Sequence, residues 1–170
     1  MLSAMYVLTS ASLSLQGLKY NHLAPVTYVP TGTEVDSKAE INFCVFRCAA
    51  QDGARDPAIN NGKQTWAVDV LERHKHSTQA FSPMGGGGSR YLALVALNDD
   101  KSDKPDLTTL RAFIASDSQG ISYAPNVWHH PLMALEKVTD FACLVYETGV
   151  SEVDCEIMHF ASTVAVVHEV

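Results

Sequence analysis

The side chains best suited to chemistry sit in two short segments, Glu72-Arg-His-Lys-His-Ser-Thr-Gln-Ala-Phe81 and Gln119-Gly-Ile-Ser-Tyr-Ala-Pro-Asn-Val-Trp-His-His-Pro131. Together they hold four of the seven histidines, two glutamines, an arginine and a tyrosine, in otherwise apolar, strand-like sequence. Alternate residues of a strand face the same way, so His74 and His76 are expected on one face. If that face lines a barrel interior and the second segment looks back at it, imidazoles and amides converge on one cavity. Neutral imidazole can take or give a proton near pH 7, or ligate a divalent metal. Such a cavity suits a small polar substrate.

Each signal has a plainer reading. His74-x-His76 followed by Gln79 resembles the first half of a cupin metal motif, in which two histidines and a later glutamate hold a divalent ion. Gln79 is a weaker, neutral oxygen donor, and Lys75 between the histidines also suits a solvated edge. Trp128-His129-His130-Pro131, after Gly120 and Pro125, resembles the second cupin motif; its plain reading is a packed Trp with two loop histidines. Adjacent strand residues face opposite ways, so one of His129 and His130 is expected to look inward. Gly85–Gly88 lacks the Gly-Lys-Ser/Thr ending of a phosphate loop and reads as a hairpin connection. Asp99, Asp100 and Asp103 read as solvated surface, and Cys44 and Cys48 as core.

The elements that must position these groups are mostly strands. Ile41–Cys48, Tyr91–Leu97, Phe141–Tyr146 and Thr163–Val167 are short apolar runs, and Trp66–Glu72 alternates as a half-buried strand does. Turn chemistry separates them at Asp52-Gly53, Asn60-Asn61-Gly62, Gly85–Gly88, Asn98–Asp100 and Thr148-Gly149. Pro105–Phe113 reads differently: Leu107, Leu110 and Phe113 have helical spacing behind an Asp, which predicts a short helix. The expected fold is mainly β, a cupin-like β-barrel of the jelly-roll type with one or two short helices.

With 170 residues, 46% of them apolar, the chain reads as one domain over residues 1–170, with residues 1–40 as an N-terminal arm. A net charge of −7 without a Lys/Arg cluster argues against nucleic acid and anionic membranes. No apolar stretch reaches membrane-spanning length. The four cysteines include no C-x-x-C and read as reduced thiols of a cytoplasmic protein. The apolar tail Phe160–Val167 could close the barrel internally or pair with the edge of a second copy.

Several of these segments resemble the ureidoglycolate lyase family of allantoin catabolism, closest to its fungal members. They are Phe46-Arg-Cys48, Glu72-Arg-His74, Ser77-Thr-Gln-Ala-Phe-Ser-Pro-Met84, Lys104-Pro-Asp-Leu-Thr-Thr-Leu-Arg-Ala-Phe113, Gln119-Gly120, Tyr123, Val127-Trp-His-His-Pro131, Asp140-Phe141 and Asp154-Cys-Glu156. The likeness covers roughly residues 40–160. It departs at His76, where many relatives carry an apolar residue or Cys, and at Ala124-Pro125, where bacterial relatives often carry His-Arg.

The resemblance implies a cupin-like homodimer in the cytoplasm that cleaves (S)-ureidoglycolate to glyoxylate and urea, a carbon–nitrogen lyase of the amidine-lyase class. This substrate is a hemiaminal, so elimination needs a base at the hydroxyl, an acid at the leaving nitrogen, and donors for the carboxylate. The catalytic candidates are His74, His129, Gln79 and Tyr123. Arg73, His130 and Phe81 are the candidates for substrate binding, Arg73 through its guanidinium. A divalent ion (Ni, Mn or Zn) would fall to His74, His76, Gln79 and His129. Alternatives are another metal-dependent cupin enzyme, an oxygenase or isomerase, or a non-catalytic cupin that binds a small acid.

Overall fold

β-branched and aromatic runs punctuated by turn residues form strands here almost throughout. The computed structural model describes residues 5–7, 26–51, 54–55, 64–85 and 89–168. In chain order the first strands are β1 (Met5–Val7), β2 (Glu40–Cys48), β3 (Ala54–Arg55), β4 (Gln64–Arg73), β5 (Gln79–Met84) and β6 (Arg90–Asp99). There follow β7 (Lys104–Ser116), β8 (Ile121–Tyr123), β9 (Trp128–His129), β10 (Met133–Ala134), β11 (Thr139–Glu147) and β12 (Glu156–His168). The described helices are a 3-10 turn, Glu34–Lys38, and α1, Ser151–Asp154. None is long and apolar enough to cross a membrane. The turns expected at Asp52-Gly53 and Asn60–Gly62, and Gly86–Gly88, lie outside the described residues.

The strands make two antiparallel sheets. One runs β1-β8-β5-β11-β2, the other β10-β6-β9-β4-β12 with β3 on β4 and β7 on β6. The result is mainly β, as expected: a sandwich whose two sheets, among the described residues, are not joined into a continuous barrel. Between them lies a core that draws Phe81, Ile121, Tyr123, Phe141 and Cys143 from the first sheet and Tyr91, Ala93, Val95 and Ala115 from the second. The opposite face of the second sheet is buried too: Trp66, Val68, Leu71, Leu92, Leu94 and Trp128 form a second cluster, flanked by Leu110, Ala112 and Ile114 of β7. Thus β6 is apolar on both faces, which is why its sequence is a continuous hydrophobic run. Burying Leu92 and Leu94 contributes roughly 1.5–3 kcal/mol each.

The helix expected at Pro105–Phe113 is not formed; the segment belongs to β7. Its pairing with β6 slips between Val95 and Leu97, leaving a bulge of extra residues on the β7 side. Leu107 ends up exposed, Leu110 packs on the outer cluster and Phe113 on the inner one. The spacing of three therefore reflects a bulge, not a helix turn. Thr108 and Thr109 favour the extended form, and the Thr109 hydroxyl accepts the Leu97 N–H that the bulge leaves over, at 2.8 Å. The tail closes internally, because β12 pairs with β4 from Glu156↔Arg73 to His168↔Gln64.

Candidate functional site

Register explains which side chains meet. On β4, Glu72 faces inward and Arg73 outward, since neighbours alternate. Across the pair, Glu72 lies directly opposite His129 of β9, and His129 opposite Val95, a residue of the inner core. Facing them from the other sheet, Gln79 of β5 lies opposite Tyr123 of β8. His74 follows the last residue of β4 and turns in beside them. Its ring centroid is 5.7 Å from that of His129. Tyr123 stacks on His129, with centroids 4.0 Å apart and planes 15° from parallel.

Both imidazoles are held by backbone carbonyls. His74 Nδ1 is 2.7 Å from the Asp154 carbonyl and His129 Nδ1 2.9 Å from that of Val127. A carbonyl only accepts, so each Nδ1 carries a proton and each neutral ring presents an Nε2 lone pair. The His74 Nε2 is buried without a partner. His129 Nε2 lies 3.0 Å from Gln79 Oε1 and 3.5 Å from Glu72 Oε1. Ligand atoms of Glu72, His74 and His129 all come within 4.8 Å of one another, the one such group among the described residues. Electron pairs are thus aimed at electron pairs. The set is satisfied by a proton on His129 or by a metal cation among the three; a Gln79 amide turned to donate relieves its own contact.

The electrostatics follow from that crowding. Burial works to raise the Glu72 carboxyl, but the hydrogen bond from His129 and the imidazoles of His129, His74 and His130 outweigh it and lower it. Burial, followed by repulsion from His129, lowers His74. Tyr123 is buried, its Oη has no partner, and burial drives the phenol well above its usual value. It therefore keeps its proton at any working pH.

The backbone around the site is tied down. Asp154 ends α1, and its carboxylate accepts from Thr148 N, Thr148 Oγ1 and Gly149 N at 2.7, 2.8 and 2.9 Å, which fixes the carbonyl that holds His74. Gly149 has φ +76°, a left-handed conformation that glycine adopts without strain. Asn126 is also left-handed, φ 68°, and its N–H donates to the His74 carbonyl at 2.9 Å, joining the two histidine segments.

The structure therefore brings His74, Gln79, Tyr123 and His129 together and leaves four other sequence candidates elsewhere. His76 does not share the His74 face, because the strand ends at Arg73 and residues 74–76 leave it. Its Nδ1 meets the Val29 carbonyl at 3.1 Å and its ring packs on Tyr28. Arg73 points out of the site, as strand alternation demands. Its guanidinium donates to Glu156, Asp103, Asn98 and Asn126 and lies 4.4 Å over the Trp128 ring. Asp103, expected as solvated surface, is one of those partners. His130 is turned away from the His129 face, with Nδ1 on the Pro131 carbonyl and its N–H on that of Leu94. Phe81 lies beneath Tyr123, edge-on at 6.1 Å. Sequence reading missed Glu72 as a ligand candidate, although Glu72-x-His74 carries the same alternate-residue spacing as His74-x-His76.

The chain matches the family model described as ureidoglycolate lyase over residues 14–167. Ureidoglycolate lyase of Salmonella paratyphi B is 51% identical over 90 residues, which are 53% of this chain and 51% of that protein. The ureidoglycolate lyase of Escherichia coli O1:K1 is 52% identical over 90 residues, again 53% of this chain and 51% of its own. The aligned stretch thus spans about half the length of these curated relatives. Among solved structures, RmlC from Streptococcus suis in complex with dTDP-D-xylose aligns over 73% of this chain and 52% of its own, at 11% identity and a TM-score of 0.37. The family match runs through nearly all of the sequence, from before the first long strand into the last, and the chain belongs to the ureidoglycolate lyase family.

Proposed function

We propose that this chain cleaves (S)-ureidoglycolate to glyoxylate and urea. The observation that carries the reading is the convergence of Glu72, His74 and His129 on one point, in a chain of this family. In the reaction the hydroxyl proton leaves, the carbon–oxygen bond becomes a carbonyl, the carbon–nitrogen bond breaks, and the urea nitrogen gains a proton. Gln79, beside His129, is placed to hold the ureido group through its amide. Tyr123 retains its proton and its Oη has no protein partner, so it serves as a hydrogen-bond donor to the departing urea, whose nitrogen receives the proton taken from the hydroxyl. The buried His74 Nε2 lone pair accepts the hydroxyl proton when no metal is bound.

The same residues fit a divalent ion. Two imidazoles with their protons committed to carbonyls, plus a carboxylate, are a donor set for nickel, manganese or zinc, and the orphaned His74 Nε2 is otherwise unexplained. Glu72, His74 and His129 would hold the ion, with Gln79 beside them and His76 outside the set. Bound there, it would supply Lewis acidity to the substrate's hydroxyl and carboxylate. The cations nearest in sequence, Arg73 and Lys75, are both engaged by carboxylates away from the site, which strengthens the case for a metal.

The test is release of urea and glyoxylate from (S)-ureidoglycolate with and without chelator. Stoichiometric products are expected, with activity lost on chelation and restored by metal. Chelator-resistant turnover assigns the hydroxyl proton to His74 instead, and no turnover with any metal overturns the reading. Tyr123→Phe separates folding from chemistry. Removing a buried, partnerless hydroxyl should leave stability unchanged or raise it by about 1 kcal/mol in denaturant titrations, while kcat falls about 100-fold.

The working unit in this reading is a cytoplasmic homodimer whose subunits are single domains over residues 1–170. The four unpaired cysteines suit a reducing compartment. Edge strand β2 turns Ile41, Phe43 and Val45 outward, each more than half exposed at 53%, 63% and 56%, an apolar stripe suited to a second copy. Sedimentation should give a dimer, and Phe43→Glu should weaken it at least tenfold; a wild-type monomer at high concentration would remove this part of the reading.

A further inference from the structure

Behind the candidate site, two cysteines stand directly opposite each other. Cys44 of β2 and Cys143 of β11 are partners in an antiparallel register, so both side chains lie on one face. Opposed residues in such a pair have Cα atoms about 4.5 or 5.5 Å apart, and both values lie inside the range a disulfide bridges. Burial first, then the neighbouring Cys44, raises the Cys143 thiol to about 12. Cys44 is half-buried, on the face of β2 opposite the Ile41, Phe43 and Val45 stripe, whereas Cys143 is buried. Cys48 cannot compete: it lies four residues along β2 from Cys44, about 13 Å away in an extended strand, and faces Thr139.

We propose that Cys44 and Cys143 are a dithiol that peroxide converts to a cross-strand disulfide, a modification site distinct from the candidate active site. Cys44, as thiolate, attacks a peroxide oxygen; the oxygen–oxygen bond breaks and hydroxide leaves as water after taking a proton. The Cys143 sulfur then attacks the Cys44 sulfenic sulfur, the sulfur–oxygen bond breaks, and hydroxide departs with the Cys143 proton as a second water. Two thiols lose two electrons and two protons, and one hydrogen peroxide accepts them. Cys44 is the half-buried thiol and Cys143 the buried one, so Cys44 meets peroxide first and Cys143 resolves it.

The position gives the bond two consequences. It ties edge strand β2 to β11 and closes a long stretch of chain, so the oxidised protein should melt several degrees higher. It also sits next to the site, because Cys143 pairs with Phe81 on its other side and Phe81 packs edge-on against Tyr123.

The experiment treats the native full chain with hydrogen peroxide, alkylates remaining thiols under denaturing conditions, and maps peptides without reduction. The expected result is a Cys44–Cys143 cross-link, reversed by reductant, with Cys48 and Cys155 alkylated and a raised Tm. Cys48→Ser should form the same link. Cys143→Ser should instead accumulate a Cys44 sulfenic acid that dimedone traps; if that variant does not fold, the wild-type map decides alone. Recovery of Cys44 and Cys143 as separate peptides, Cys44 over-oxidised without a link, or a link to Cys48 or Cys155 would each overturn the proposal.

Discussion

His74→Ala should lower kcat/KM for (S)-ureidoglycolate at least about 1,000-fold, whether His74 acts as ligand or as base. Its Nδ1 bond to the Asp154 carbonyl fixes the ring, and its Nε2 is buried with nothing in the protein to satisfy it. A histidine that served only packing would have both nitrogens engaged or one in water. Glu72→Gln is the sharper companion, since it keeps the shape and removes the charge. If a metal is held, both variants should lose stoichiometric metal, and Glu72→Gln should weaken metal binding at least tenfold even where some turnover survives. If His74 is instead the base, His74→Ala abolishes turnover while Glu72→Gln leaves chelator-resistant activity. The reading fails if His74→Ala destabilises the fold yet turns over substrate normally.

Much of this site was legible from residue types and the period of two. That one of His129 and His130 faces inward follows from alternation, but which of them does, and that Gln79 lies opposite Tyr123, is set by strand register. What alternation could not give was where β4 stops. Continuing the strand through His76 puts His74 and His76 together; ending it at Arg73 leaves Glu72 and His74 as the pair and sends His76 to Val29 and Tyr28. Strand ends are set by tertiary partners, here the Asn126 N–H that takes the His74 carbonyl, and such partners have no local signature. The lost helix at Pro105–Phe113 has the same origin. A β-bulge shifts the phase of alternation and mimics a spacing of three, so the sequence alone does not distinguish the two. The Arg73 network was invisible for a further reason: its four partners, Asn98, Asp103, Asn126 and Glu156, come from three separate segments.

That network carries the second large effect. Arg73→Ala should destabilise the protein by about 3 kcal/mol, the low end for removing one partner of a buried charged set, because the carboxylates of Asp103 and Glu156 are about half exposed and can recover water. For a domain of this size that is a fall in Tm of roughly 6–12 °C. Arg73→Met, which keeps the stem over Trp128, should lose less. The acid limb changes as well. Hydrogen bonds from Arg73 and then Lys75 hold the Asp103 carboxyl well below its ordinary 3.8. A depressed folded pKa means stability present at neutral pH and lost as pH falls below that ordinary value, so the variant should lose less on acidification than the wild type. The alternative role, a guanidinium that grips the substrate carboxylate, predicts a different pattern: Arg73→Lys would raise KM with Tm nearly unchanged. With its fork spread over three segments, one of them carrying Asn126 and through it the His74 loop, Arg73 should act on folding first. Arg73→Lys should therefore lower Tm by several degrees and reduce kcat with little change in KM, a split that thermal melts and steady-state kinetics on one preparation can read together.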